Sequence, residues 1–136
     1  MATFTKFNSF VEALAEKVHN LGSDTLKVAL TNSAPSASNT VLADITEISY
    51  TNLSARTLTV TSSAQTSGTY KLVVSDLTLT ASGGSVATFR YIVIYNDTAT
   101  NDELICYVDN GSSVTLADTQ SFIIDFDQTN GLLQLA

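Results

Sequence analysis

Residues of a kind that do chemistry are few in this chain, and they are scattered. There is one histidine, His19, and one cysteine, Cys106. A zinc site built on them would need mostly carboxylate ligands, an unusual donor set for that ion. Asp125-x-Asp127 with Asn130 offers oxygen ligands of the kind calcium takes, but the run lacks the glycine at the sixth loop position and the distal glutamate of an EF-hand. Alternation along a strand puts both aspartates on its outward face, where water accounts for them. No Gly-x-Ser-x-Gly elbow and no phosphate-cradling Walker loop occurs. Acids for a glycosidase pair are available, but a chain without tryptophan has little from which to build a sugar platform. Tyr50, Tyr70 and Tyr107 are the candidates for an exposed aromatic cluster that would hold a glycan. No catalytic residue, metal ligand or cofactor site is therefore assigned, and the chain is read as a non-enzyme. His19 is placed in the last turn of a helix, where a partial positive charge is favourable. Cys106 is read as a buried, inert thiol in a strand.

The elements that position these residues are mostly strands. Phe89 to Tyr95, Phe-Arg-Tyr-Ile-Val-Ile-Tyr, is the most β-prone run and apolar on both faces apart from Arg90. That is the pattern of a central strand covered on both sides. Parity groups Phe89, Tyr91, Val93 and Tyr95 on one face and Arg90, Ile92 and Ile94 on the other. At the amino terminus, Phe7, Phe10, Val11, Leu14, Val18 and Leu21 recur at helical spacing and predict one amphipathic helix over about 4–21. Thr3 or Thr5 would cap it and Gly22 would end it in the left-handed conformation. Its stripe is expected to pack on one face of the sheet around Phe89–Tyr95.

Further strands are expected at Thr25–Thr31, Thr57–Thr61, around Tyr70–Val74, at Leu77–Leu79, Leu104–Val108, Phe122–Phe126 and Leu132–Leu135. Asn32–Thr40 is a loop by composition, and Val41–Tyr50 fits a helical turn or an irregular edge. Turns are read at Ser62–Gly68, Ser82-Gly83-Gly84-Ser85, Asn96–Asp102, Asn110-Gly111 and Asn130-Gly131. The change of parity between Val74 and Leu77 requires a bulge or bend near Ser75–Asp76. Residues 1–136 thus read as a single mainly β domain, an antiparallel β-sandwich, jelly-roll-like or barrel-like, with one helix.

Composition narrows the partners. Thirteen acids against six bases give a net charge of −7, and no Lys or Arg follows Arg90. Such a surface repels phosphate backbones and anionic membranes, so neither nucleic acid nor membrane is expected as a partner. A single cysteine excludes an intrachain disulfide. Glu12, Glu16 and Lys17 interrupt any signal-peptide core, so synthesis and folding in a cytosol are expected. The Asn-x-Ser/Thr triplets at Asn52, Asn96 and Asn110 are what a chain this rich in Ser and Thr produces by chance.

The wording of the chain carries a resemblance. Lys6-Phe7-Asn8-x-Phe10-Val11-Glu12-x-Leu14-Ala15 precedes Val18-His19-Asn20-Leu21-Gly22-Ser23-Asp24. Lys27-Val28-Ala29-Leu30-Thr31-Asn32-Ser33-Ala34-Pro35, Val41-Leu42-Ala43-Asp44-Ile45 and Arg90-Tyr91-x-Val93-x-Tyr95-Asn96-Asp97 follow. Across its whole length the chain resembles a family of small virion structural proteins of tailed bacteriophages. These motifs are structural rather than catalytic. The resemblance implies a protein of the virion, made in the host bacterial cytoplasm. A capsid decoration or cement protein would bind the major capsid protein on the outside of the head, as a trimer or dimer. A tail, collar or fibre component would bind tail proteins, and a receptor- or glycan-binding module is the third possibility.

Overall fold

The computed structural model describes residues 3–136. Among them are β1 (Thr3–Lys6), α1 (Ser9–Ala15), β2 (Leu26–Thr31), β3 (Val60–Thr66), β4 (Thr69–Val74), β5 (Leu77–Thr80), β6 (Phe89–Asn96), β7 (Leu104–Val114), β8 (Ser121–Ile124) and β9 (Leu133–Leu135). Leu42–Asp44 adds one 3-10 turn. The strands form three antiparallel sheets: β1-β7-β6-β2, β3-β4-β9 and β5-β8. The fold is mainly β with one short helix, and its layering is compatible with a β-sandwich.

β6 is an interior strand, as its two apolar faces predict. Toward one side, Leu26, Val28 and Leu30 of β2 and Ile92 and Ile94 of β6 join Leu72 and Val74 of β4, Leu79 of β5 and Ile124 of β8 in one buried cluster. The two smaller sheets therefore cover that face. Toward the other side, Ala29, Val93, Tyr95 and Leu104 are covered by Phe7 and Ile45, with Leu42 and Tyr107 at the margin. The stretch around the 3-10 turn thus serves as a lid on the second face. Burying a large side chain such as Leu30 or Ile94 stabilises by roughly 1.5–3 kcal/mol, which is why this sheet dominates the fold.

One parity expectation fails. Phe89 lies in the same cluster as Ile92 and Ile94, not with Tyr91 and Val93. The β6–β7 register shifts between Phe89 and Tyr91: Phe89 faces Val114 whereas Tyr91 faces Asp109. The extra residues on β7 include Asn110-Gly111. This pair was expected to close a hairpin, but it forms a bulge inside one long strand, with Gly111 at φ 87°. The bulge rotates Phe89 into the main core, where it meets Phe122 edge-on at 5.5 Å.

The helix expected over 4–21 is much shorter. Thr3–Lys6 pairs with β7 from Thr3↔Asp109 to Lys6↔Cys106, so Thr3 and Thr5 are strand residues rather than caps. Pairing satisfies the outer edge of β7, a long-range gain that helical spacing does not register. Asn8 takes the N-cap position without a side-chain bond, and the helix ends near Glu16. The left-handed residue after it is Lys17 at φ 68°, not Gly22. The apolar stripe is split: Phe7 covers one face of the large sheet, whereas Phe10 and Leu21 belong to the core on the other. Val11 and Val18 are left exposed.

Two more turns change identity. Ser62–Gly68 is not a turn throughout; strand β3 runs to Thr66, and only Ser67 (φ 52°) and Gly68 (φ 84°) reverse the chain. Two successive left-handed residues are the signature of a type I′ hairpin. Ser82–Ser85 does not join paired strands, because β5 pairs with β8. It carries the chain from one sheet to another. The break at Ser75–Asp76 does appear, and there the chain leaves the β4 sheet for that of β5. Gly131 (φ 81°) turns into β9 where an added Cβ would lie 2.5 Å from the Leu72 carbonyl oxygen, so this glycine is sterically required.

Candidate interaction surface

The residues with chemical potential lie in separate places, each with a structural occupation. His19 follows the helix rather than ending it, and is 4% exposed. Its partner is Asn96, the wholly buried last residue of β6. The Asn96 Oδ1 accepts the N–H groups of Thr98 at 2.9 Å and Ala99 at 3.2 Å, which fixes the amide orientation. Nδ2 then donates to Asp24 Oδ2 at 2.6 Å and faces His19 Nδ1 at 3.0 Å. His19 Nδ1 is therefore the acceptor, and the ring proton sits on Nε2. The Phe10 ring packs against the imidazole at 5.4 Å. Burial lowers the histidine pKa, with Glu103 and Asp24 pulling the other way, so the ring is held neutral. This network ties the amino-terminal segment to the end of the central strand.

Cys106 is 1% exposed on β7, paired with Ile94 and Lys6. Burial alone pushes its thiol far above the ordinary range, which removes the thiolate needed for reactivity. Asp127 accepts the backbone N–H groups of Thr129 and Asn130, each at 2.8 Å, and the Asn130 side-chain amide at 2.8 Å. These bonds lower its pKa and hold the turn before β9. Tyr50 donates to Glu47 at 2.6 Å and accepts the N–H of Leu30 at 3.0 Å, with Arg56 stacked at 3.6 Å from its ring. Tyr70 exchanges a 2.8 Å bond with Ser63, and Tyr107 packs on Phe7 at 5.1 Å. Tyr50 and Tyr70 border one core cluster and Tyr107 the other. The three tyrosines do not meet in a glycan platform.

What the fold does assemble is a contact surface. A groove of about 500 Å³ runs between the segment after α1 and the β3-β4-β9 sheet, with Leu14, Leu21 and Leu135 as apolar walls and His19, Ser63 and Tyr70 among its polar lining. The Nε2 of His19 is buried there without a partner among the described residues. A second hollow of about 250 Å³, between β1, α1 and β9, shares Leu135 and is walled by Phe4 and Val11. Phe4 and Val11 are each 49% exposed and share this hollow with Leu135, whereas the more exposed Ile123 lies on β8, outside both hollows. Lys17 lines the first groove and Lys6 the second. Lys27 pairs with Asp97 and Arg90 with Asp109, but Lys6 and Lys17 form no ion pair among the described residues. Thus, in a chain of net charge −7, each of the two hollows is lined by a lysine that forms no ion pair among the described residues; Lys71, which also forms none, donates instead to the Thr129 carbonyl at 3.2 Å.

Strand β3 stands over the first groove. Every residue from Thr61 to Thr66 is exposed, on both faces of the strand. The sequence signal for this was present but inverted: Thr-Ser-Ser-Ala-Gln-Thr is too polar to read as a strand because neither of its faces enters a core. The grooves have no sequence signature at all, because their walls come from elements far apart in the chain.

Comparison with known proteins brings no likeness to set beside this geometry: no family model, no curated protein and no solved structure matches the chain. Among the described residues, no group of three or more His, Cys, Asp or Glu could hold a metal ion, and no helix is long and apolar enough to cross a membrane.

Proposed function

We propose that the chain is a non-enzymatic structural protein of a tailed-phage virion, one that binds the outside of the head in many copies as a capsid decoration, or cement, protein. The phage assignment rests on the resemblance of the motifs from Lys6 to Asp24, Lys27 to Pro35 and Arg90 to Asp97. The observation that carries a contact role is an exposed uncharged edge strand whose Ser63 lines an apolar groove, with a second apolar hollow adjoining it through Leu135. His19, Cys106, Tyr50 and Asp127 meanwhile serve the fold. Its partners in this reading are the major capsid protein and further copies of itself, as a dimer or trimer suited to local symmetry axes. An acidic exterior suits a protein that never meets the packaged DNA.

Copy number and position in purified particles test this. A copy number that scales with the major capsid subunit, with antibody label on the head, is the expected result. A few copies with label at the tail would move the protein to a tail, collar or fibre role. Absence from purified particles, with binding to cell-surface glycans, would overturn the virion assignment.

A further inference from the structure

We propose that two copies of the chain pair through strand β3, antiparallel and about a two-fold axis, to make one sheet continuous across the dimer. The proposal deepens the homo-oligomer part of the reading above and does not depend on the virion.

Edge strands expose unpaired N–H and C=O groups, and proteins protect them by covering them, keeping them short or charging them. The outer edge of β2 is covered by the chain at 48–58. Ile48 N–H donates to Leu30, Val28 N–H to Arg56 and Leu58 N–H to Leu26, all at 2.9–3.0 Å. Ser54 covers β5, donating its N–H to the Thr80 carbonyl at 3.0 Å and accepting the Thr80 N–H on its hydroxyl at 2.9 Å. β1 and β8 are four residues long, the first ending in Lys6 and the second running into Asp125, and β9 has only three. β3 has seven residues and none is charged or proline. It is the one long edge left without any of these protections among the described residues.

The hairpin geometry says which groups are free. The two-residue turn at Ser67-Gly68 makes Thr66↔Thr69 a hydrogen-bonded pair, and the register continues through Ala64↔Lys71. The intervening Ser63 and Gln65 therefore turn their N–H and C=O groups away from β4. A second β3 running antiparallel presents the same groups in return, so the contact is self-complementary, as a two-fold interface must be. Charge supports the same occupant. Two copies at −7 repel wherever their acids approach, whereas Thr61–Thr66 lets them meet without a carboxylate on either strand. The added strand would continue the sheet at the side where Ser63 lines the groove.

The test is sedimentation equilibrium of the intact chain from micromolar to millimolar concentration, with residue-resolved amide exchange. The expected result is a concentration-dependent dimer in which the Ser63 and Gln65 amides slow as the dimer forms. Ser63→Pro should weaken association about tenfold or more, since it removes an N–H used only between copies and proline is tolerated at a free edge. Ala64→Glu, at an exposed position, should do the same by placing like charges across the axis. If Ser63→Pro fails to fold, Ala64→Glu alone decides. A monomer at every concentration overturns the proposal. So does a dimer that both variants leave intact while the Ser63 and Gln65 amides exchange freely. A β3 dimer absent from phage heads would instead retain this proposal and remove the virion reading.

Discussion

The β1-β7-β6-β2 sheet and the β3–β4 hairpin are built from the same kind of antiparallel pairing, yet they present opposite surfaces. In the large sheet, Val28, Leu30, Ile94 and Leu104 are wholly buried, and the two faces are closed by different parts of the chain. In the hairpin, β4 buries Leu72 and Val74 near its base, but β3 buries nothing beyond Val60 and projects Thr61–Thr66 into water. A strand is held either by what it packs against or by its partner alone. The first kind makes a rigid body. The second makes a surface that a neighbour can complete, and it contributes little to the body's own stability.

This contrast can be broken most strongly in the core. Phe89→Ala should cost about 3–5 kcal/mol, because it empties the junction of β6 and β8 behind the β7 bulge. Chemical denaturation at fixed pH checks it; a loss below about 1 kcal/mol would mean that Phe89 is not tightly packed between β6 and β8. Asn96→Ala should come next, at about 1–3 kcal/mol, since it strands the Thr98 and Ala99 N–H groups and frees His19 and Asp24 from each other.

A smaller, pH-dependent effect should come from His19. Its pKa is lowered from 6.5 by burial, so the unfolded chain binds the proton more readily than the folded one. Stability from this group is complete above about pH 6.5 and is lost as the pH falls below that value toward the lowered folded pKa. A His19→Gln variant should show a flatter stability profile over that window. Asp44, Asp109 and Asp127, whose pKa values are lowered from 3.8, act only in a separate and more acidic window. The smallest effect belongs to the hairpin. Thr66→Ala should change stability by no more than about 0.5 kcal/mol, as for a surface position without a partner. A cost comparable to that of Asn96→Ala would show that β3 does pack against the body.

How far each region could be read from sequence follows the same contrast. β6 was legible because burial on both faces leaves an unbroken apolar run, and β2 because Leu26, Val28 and Leu30 alternate. β3 was hidden because a strand with two wet faces has no alternation to show. The amino terminus misled for a different reason. Phe7, Phe10, Leu14 and Leu21 do sit at helical spacing, but the pairing of Thr3–Lys6 with β7 and the left-handed turn at Lys17 are long-range and backbone effects. Asn110-Gly111 has the residues of a tight turn, and a left-handed glycine serves a bulge as well as a hairpin. Of the contact surface, only one piece could be seen, the polar run at Thr61–Thr66. That Ser63 meets Lys17 and Leu135 in one groove depends on tertiary structure.

The claim that the hairpin region is the contact surface and the large sheet the rigid body is tested most directly by amide hydrogen exchange. The protein would be measured free at low concentration and then bound to phage particles. Protection should rise over 61–70 and across the grooves at 14–22, while the amides of β2 and β6, already slow, remain unchanged. New protection confined to the covered face around Leu42–Ile45, with Thr61–Thr66 exchanging as fast on the particle as off it, would contradict the account.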